Sequence, residues 1–371
     1  MASPVVIDIN DLLQPVNDDA PSGEDIRDNP SPTSDYQTVK AARNQARAAE
    51  RQNIHDGESI EAIEHWQKIV ELTPKILKEQ AKDLEIASWY TEAVTRVHGF
   101  SGLRDAFDLI DGLIENFWDT LHPMPDEFGI ETRVACLSGL NGEGAEGVLI
   151  APLRRLALTE ARDPGPFSLW QYKQAVDAQK ISDDRARNNK IENLGFKQED
   201  IEDSVSRTSS EFYVDLRDDV SRCIDTYKAI GVKLNEKCDS GEAPATRNII
   251  EVLEDCLRTV NHIGKLKFPI EATEDADEEA QEANAEDGTS VVTKVVVAKG
   301  PIASRDDAFK QLLEIADYFR KSEPHSPVSY ILQKAVKWGN MPLGELIGEL
   351  ITDDSSRERF SELTGVETPE D

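Results

Sequence analysis

Apolar residues in the first third of the chain recur at spacings of three and four, the period that places them on one face of a helix. Trp66, Ile69, Val70, Thr73, Ile76 and Leu77 make one such row. Ile86, Tyr90, Val94 and Val97 make a second, and Leu103, Phe107, Ile110, Ile114 and Phe117 a third. Gly99 and Gly102 fall between the second and third rows, where glycine can stop one helix and turn into the next. Pro123 and Pro125 close the third. Lys82 and Asp83 stand at a helix start, where the carboxylate complements the helix dipole. Ahead of these rows, Pro15 to Pro32 is rich in Pro, Asp, Asn and Ser, which predicts an extended arm.

Further on, Asn141 to Gly147 reads as a glycine-rich loop after a helical stretch, and Trp170 to Gln179 as a weaker helix. Two long rows follow. Phe212, Leu216, Val220, Cys223, Tyr227 and Ile230 mark one; Ile249, Ile250, Leu253, Cys256, Leu257, Val260 and Ile263 mark the other. The polar segment 239–244 joins them, so the pattern predicts an antiparallel hairpin. Glu271 to Asp287 is acidic, has no basic or large apolar residue, and reads as a self-repelling linker. The valine-rich run 291–297 is strand-prone but isolated. Ser304 to Asp307 resembles a capping box opening a helix whose apolar face is Phe309, Leu312, Leu313, Ala316 and Phe319. Glu323-Pro324-His325-Ser326-Pro327 then forms a corner, since neither proline fits a helix interior. Val328, Leu332, Ala335 and Val336 continue beyond it, then Leu343, Leu346, Ile347 and Leu350. Outside the valine run no period-two pattern appears. The expected fold is all-α and multi-domain: a helical N-terminal domain (1–160), a middle helical domain with the hairpin (161–270), the linker with its valine-rich segment (271–303) and a small C-terminal helical domain (304–371).

Composition narrows the function. Net charge is −31 over 371 residues, a field that repels phosphate backbones and anionic membranes and favours basic protein surfaces. The start of the chain shows no secretory pattern, and no apolar run reaches the length of a membrane span. Four scattered cysteines without metal-ligand spacing fit reduced thiols in a cytoplasmic protein.

Chemical motifs are sparse. Gly142 to Gly147 has the spacing G-x-G-x-x-G, but the residues before it look helical and Glu143 and Glu146 would repel a phosphate; a flexible loop is the competing reading. None of the six histidines makes a metal-binding pair. His122 can bond a helix-end carbonyl, and His325 beside Ser326 need not form a triad, which is defined by geometry. Cys136 has no supporting nucleophile motif, and Trp66, Trp89 and Trp118 fit a core. No cofactor, metal or catalytic residue is expected. Three readings stay open on these residues: a structural assembly protein, a generic acidic helical adaptor, and an enzyme using the glycine loop or Cys136.

Taken together, the short motifs resemble a known family. Pro21-Ser22-Gly23-Glu24-Asp25-Ile26-Arg27, Trp66, Lys82-Asp83-Leu84, Trp89, Gly99 to Leu103, Trp118-Asp119, Leu121-His122-Pro123 and Arg133 follow the order of the ImpA-related N-terminal domain of TssA-type secretion proteins. Phe319, Arg320, Glu323-Pro324-His325-Ser326-Pro327, Trp338 and Met341-Pro342-Leu343 resemble the C-terminal domain of that family's short, baseplate-associated branch. Gly139 departs from the pattern, which often has Trp there. The resemblance implies a non-enzymatic, cytoplasmic, ring-forming factor of the type VI secretion apparatus. It would recruit or stabilise the baseplate and prime the inner tube and sheath, without nucleic acid or membrane insertion. The same residues are the implied structural or interaction positions.

Overall fold

A computed structural model describes residues 2–52, 59–239, 241–269, 305–322 and 327–341, with Leu346 and Asp353. The chain divides into two units, Met1–Asp275 and Ala276–Asp371. Among the described residues every regular element is helical, joined only by isolated bridges, as the all-α expectation requires. The acidic linker, the valine-rich segment and Glu323 to Ser326 lie outside the described residues.

The first unit is built around α4 (Leu84–Phe117), preceded by α1 (Ile9–Leu12), a 3-10 turn (Ile26–Asp28), α2 (Asp35–Gln52) and α3 (Ile60–Glu79). The second and third apolar rows both lie on α4. They are separated at Gly99, whose φ of 65° and ψ of −142° leave helical geometry. Gly102 is needed for closeness: a Cβ there would fall 2.5 Å from the Val94 carbonyl oxygen. Buried on almost every side, α4 must also satisfy the polar groups it carries inside. Ser88, Thr91 and Thr95 do so by donating to the carbonyls of Leu84, Ala87 and Thr91, one turn back. Trp66, Ile69, Ile76 and Leu77 of α3 are fully buried against it, each side chain contributing about 1.5–3 kcal/mol of transfer free energy.

Beyond α5 (Glu131–Asn141) and the short α6 (Ile150–Arg155) come α7 (Leu169–Gln179), α8 (Asp184–Leu194) and α9 (Gln198–Arg207). Phe167, Ala175 and Ile201 form a small separate cluster there. The foreseen hairpin is α10 (Ser210–Lys237) with α11 (Arg247–Ile263). It shares the main core: Phe107 of α4 stacks on Tyr227 of α10 with centroids 4.5 Å apart. Buried Arg104 and Asp219 pair at 2.5 Å, and the neighbouring Asp105 accepts from the Val6 and Ile7 amides. One polar knot thus ties the chain's start, α4 and α10 together.

In the second unit α12 (Arg305–Ser322) and α13 (Val328–Asn340) form an antiparallel pair. Ala316 and Val336 are buried. Gly339 lets the Phe309 ring approach, since a Cβ would lie 2.3 Å from it. Of the face expected on α12, Leu313 is instead 42 % exposed.

Candidate functional site

The structure gathers the N-terminal motifs into one junction where the arm crosses the start of α4. Gly23 and Ala81 form an antiparallel bridge. The Lys82 amide donates to Ser22 O at 2.8 Å, the His122 amide to Lys82 O at 3.0 Å, and the Leu84 amide to His122 O at 2.7 Å. Three distant segments therefore share one short ladder. Gly23 is obligatory in it: its φ is +70°, and a Cβ would fall 1.9 Å from Gln80 O. The His122 ring does not serve a helix end, contrary to the sequence reading. Its Nε2 lies 3.3 Å from Gly23 O, because the ladder fixes His122 beside the arm.

Charge follows the backbone. Asp83 caps α4, its Oδ1 accepting from the Ile86 amide at 2.9 Å. Its Oδ2 receives Arg27 at 2.8 Å, and the same guanidinium reaches Asp25 at 2.8 Å and Glu85 at 2.9 Å. Burial alone would weaken the charge on Arg27, but Asp83, Asp25 and Glu85 outweigh it and raise its pKa above the ordinary value. Burial raises Asp25 too, yet hydrogen bonds and charge from Arg27 bring its carboxyl below the usual range. Tyr36 bonds Glu85 at 3.3 Å and stacks on Trp89; burial, with Glu85 adjacent, pushes its phenol up to about 12. Lys82 turns the other way, fully buried, and donates to Leu12 O at 2.7 Å and Leu77 O at 2.6 Å. Trp118 packs beneath Arg133, whose guanidinium sits 5.1 Å from the ring centroid and donates to Trp118 O and Pro123 O.

Gly23, Arg27, Lys82, Asp83 and Trp89 are thus contiguous around the start of α4, and Trp118 follows its C-terminal end. Phe319, Arg320 and Trp338 lie in the other unit. There Arg320 donates to Gln333 at 2.6 Å and Lys334 lies 4.7 Å over the Trp338 ring. Of the proline corner only Pro327 is described, as the residue preceding α13. Tyr36, Glu85, Arg43 and Glu92 were not anticipated: they meet across some 49 residues, a separation that leaves no local pattern.

The chemistry available here is that of a bolted joint. Arg27 is shared among three carboxylates, and no metal-binding cluster of His, Cys, Asp and Glu occurs among the described residues. Desolvation of the half-buried Cys136 thiol, with Asp83 and Glu85 nearby, pushes its pKa up to about 12, which makes it a poor nucleophile at neutral pH. The glycine-rich loop is not an open cradle after a strand. It follows helix α5, and its ends are tied by Gly142 N to Ser138 O and Val148 N to Gly139 O. Asn141 caps the start of α11 by accepting from the Ile249 amide at 3.0 Å. No helix of the described residues is long and apolar enough to cross a membrane.

Comparison with known proteins places this joint. The family model for the N-terminal region of ImpA, of the type VI secretion system, matches residues 13–142, which contain the junction apart from the Leu12 carbonyl. Over 366 residues, 98 % of this chain and 100 % of the relative, the sequence is 23 % identical to the type VI secretion system component TssA1 of Pseudomonas aeruginosa. A solved N-terminal domain that includes the conserved ImpA_N region of the TssA component from Burkholderia cenocepacia matches with a TM-score of 0.58 and 25 % identity. That match covers 71 % of this chain and 96 % of that one. On the junction, the fold and these matches, residues 13–142 carry the N-terminal region of ImpA, and along nearly its whole length the chain is similar to TssA components of the type VI secretion system.

Proposed function

We propose that the chain is a non-enzymatic assembly factor. Its first unit docks onto other components of the apparatus, and its C-terminal helices drive self-association into a ring. In this reading it belongs to the short, baseplate-associated branch, works in the cytoplasm at the inner face of the envelope, and stabilises the baseplate while tube and sheath begin to polymerise. The observation that carries it is the likeness to a secretion component over almost the full length.

Self-association draws support from the second unit. Ile315, Tyr318, Tyr330 and Ile331 are 45 %, 67 %, 64 % and 62 % exposed on α12 and α13. So small a helical unit gains by burying such a surface against copies of itself. The test is a truncation after Gly300, compared with the full chain by size-exclusion chromatography with light scattering. A large oligomer that collapses to monomers or dimers on truncation is expected; a truncated chain that keeps the full-size assembly overturns the ring reading.

A further inference from the structure

A groove of about 350 Å³ opens between α2, the first half of α4 and α5. Arg43, Arg47, Glu92, Trp89 and Gly139 line it. Arg43 is committed to the fold: its Nε and one terminal nitrogen hold Glu92 Oε1 at 2.8 and 2.6 Å, and the guanidinium lies 5.3 Å over the Trp89 ring. Arg47, one turn further along α2, has no such acceptor among the described residues. It is half-buried. Burial, with Arg43, Arg96 and Arg51 close by, lowers its pKa, and only Glu92 works against them. Glu85 lines the groove as well, so the groove's two carboxylates balance its two guanidinium groups, and Arg47 is the one left without a hydrogen-bond acceptor among the described residues.

Gly139 forms the opposite lip, and a Cβ there would meet nothing within 4 Å. Ala135 beside it is exposed. The groove therefore offers a guanidinium next to open space edged by small and apolar residues. Planar guanidinium favours carboxylate, which it can bind through two parallel donors. The acidity of the whole chain does not forbid such a ligand, because exposed charges beyond about 8 Å are largely screened at physiological salt.

We propose that this groove binds an acidic peptide segment of a partner protein, an Asp or Glu carboxylate pairing with Arg47 and a neighbouring apolar side chain filling the space beside Ala135 and Gly139. The identity of that partner as another part of the secretion apparatus rests on the function proposed above; the groove's chemistry does not.

The experiment uses the full-length chain and fluorescence anisotropy with two sets of labelled synthetic peptides. One set tiles the tube, sheath and baseplate subunits encoded with this chain. The other is an unrelated panel pairing acidic residues with apolar neighbours, each with an Asn/Gln counterpart. Saturable binding of acidic members is expected, weakened at least about tenfold, or about 1.4 kcal/mol, by Asn/Gln replacement or by Arg47→Gln. Gly139→Trp should block the groove equally while keeping α5, where Trp is a better helix residue than Gly. Exposed Arg185→Gln on α8 should change nothing, and circular dichroism would verify that each variant folds. Binding of the unrelated panel alone keeps the groove and removes the partner class. The proposal is overturned if no acidic peptide binds, if Arg47→Gln and Gly139→Trp bind like the parent, or if single-stranded DNA or anionic vesicles bind through Arg47 more tightly than any acidic peptide.

Discussion

Lys82 illustrates how much of this molecule is decided by single side chains with distant partners. Its ammonium is fully buried, held by two carbonyls from α1 and α3 with the Phe117 ring 5.7 Å away. Burial pulls its pKa down to about 8, against about 10.4 for an unfolded lysine. Between those values the unfolded chain holds a proton that the native chain releases. The unfolded state therefore binds more protons, and the Lys82 contribution to stability rises with pH across that window. Below it both states are charged and the native state bears the burial of the cation. Lys82→Met should lose about 1–3 kcal/mol at neutral pH by orphaning two carbonyls, and should lack this rise. Denaturant unfolding of both proteins between pH 7 and about 10.5 checks it: the parent should gain on the variant as pH increases, and a constant difference would contradict the assignment. Sequence showed the neighbouring Asp83 as a helix start, because capping is local. It could not show Lys82 as an internal clamp, since Leu12 lies 70 residues away.

At the scale of elements, whatever repeats large apolar residues at helical spacing was legible. The rows on α3, α4, α10 and α11 and the break at Gly99 follow from spacing alone. Besides the short α1 and α6, three helices escaped for identifiable reasons. The buried stripe of α2 is Val39, Ala42, Ala46 and Ala49, too small and too weakly apolar to stand out. Helix α8 buries no residue, although Asp183 caps its start and Gly195, with φ 73°, ends it. Helix α9 has only Ile201 and Ser204 buried. That α10 would lie along α4 could not be read either, because the contact depends on the tertiary pairing of Arg104 with Asp219. In the second unit only five positions, 323–327, connect Ser322 of α12 to Val328 of α13. We propose that the prolines at 324 and 327 act on that connection, since proline lowers the entropy of the unfolded chain. Replacing both with Ala should loosen the helix pair and shift the light-scattering mass towards smaller species, whereas His325→Gln should leave it unchanged. An intact assembly in the proline variant, with secretion lost in a well-folded His325→Gln chain, would make the corner a contact site.

For the whole molecule, the first unit is a helical body bolted at one end by ion pairs, and the second is a helix pair with exposed aromatic and aliphatic residues. The junction is partly legible in the sequence: its motifs single out Gly23, Arg27, Lys82, Asp83 and Trp89, which adjoin in the structure. Their contacts in the structure hold the arm and α4 together. Such a division suits a component of a larger assembly, in which one unit multiplies copies and the other presents docking faces. The most direct measurement is live imaging of a fluorescent sheath subunit in the source bacterium after deletion of this gene. The account predicts that sheath assembly and secretion fall sharply, return with the full chain, and do not return with a chain truncated after Gly300. Sheaths that form and fire at the normal frequency without the gene would contradict it.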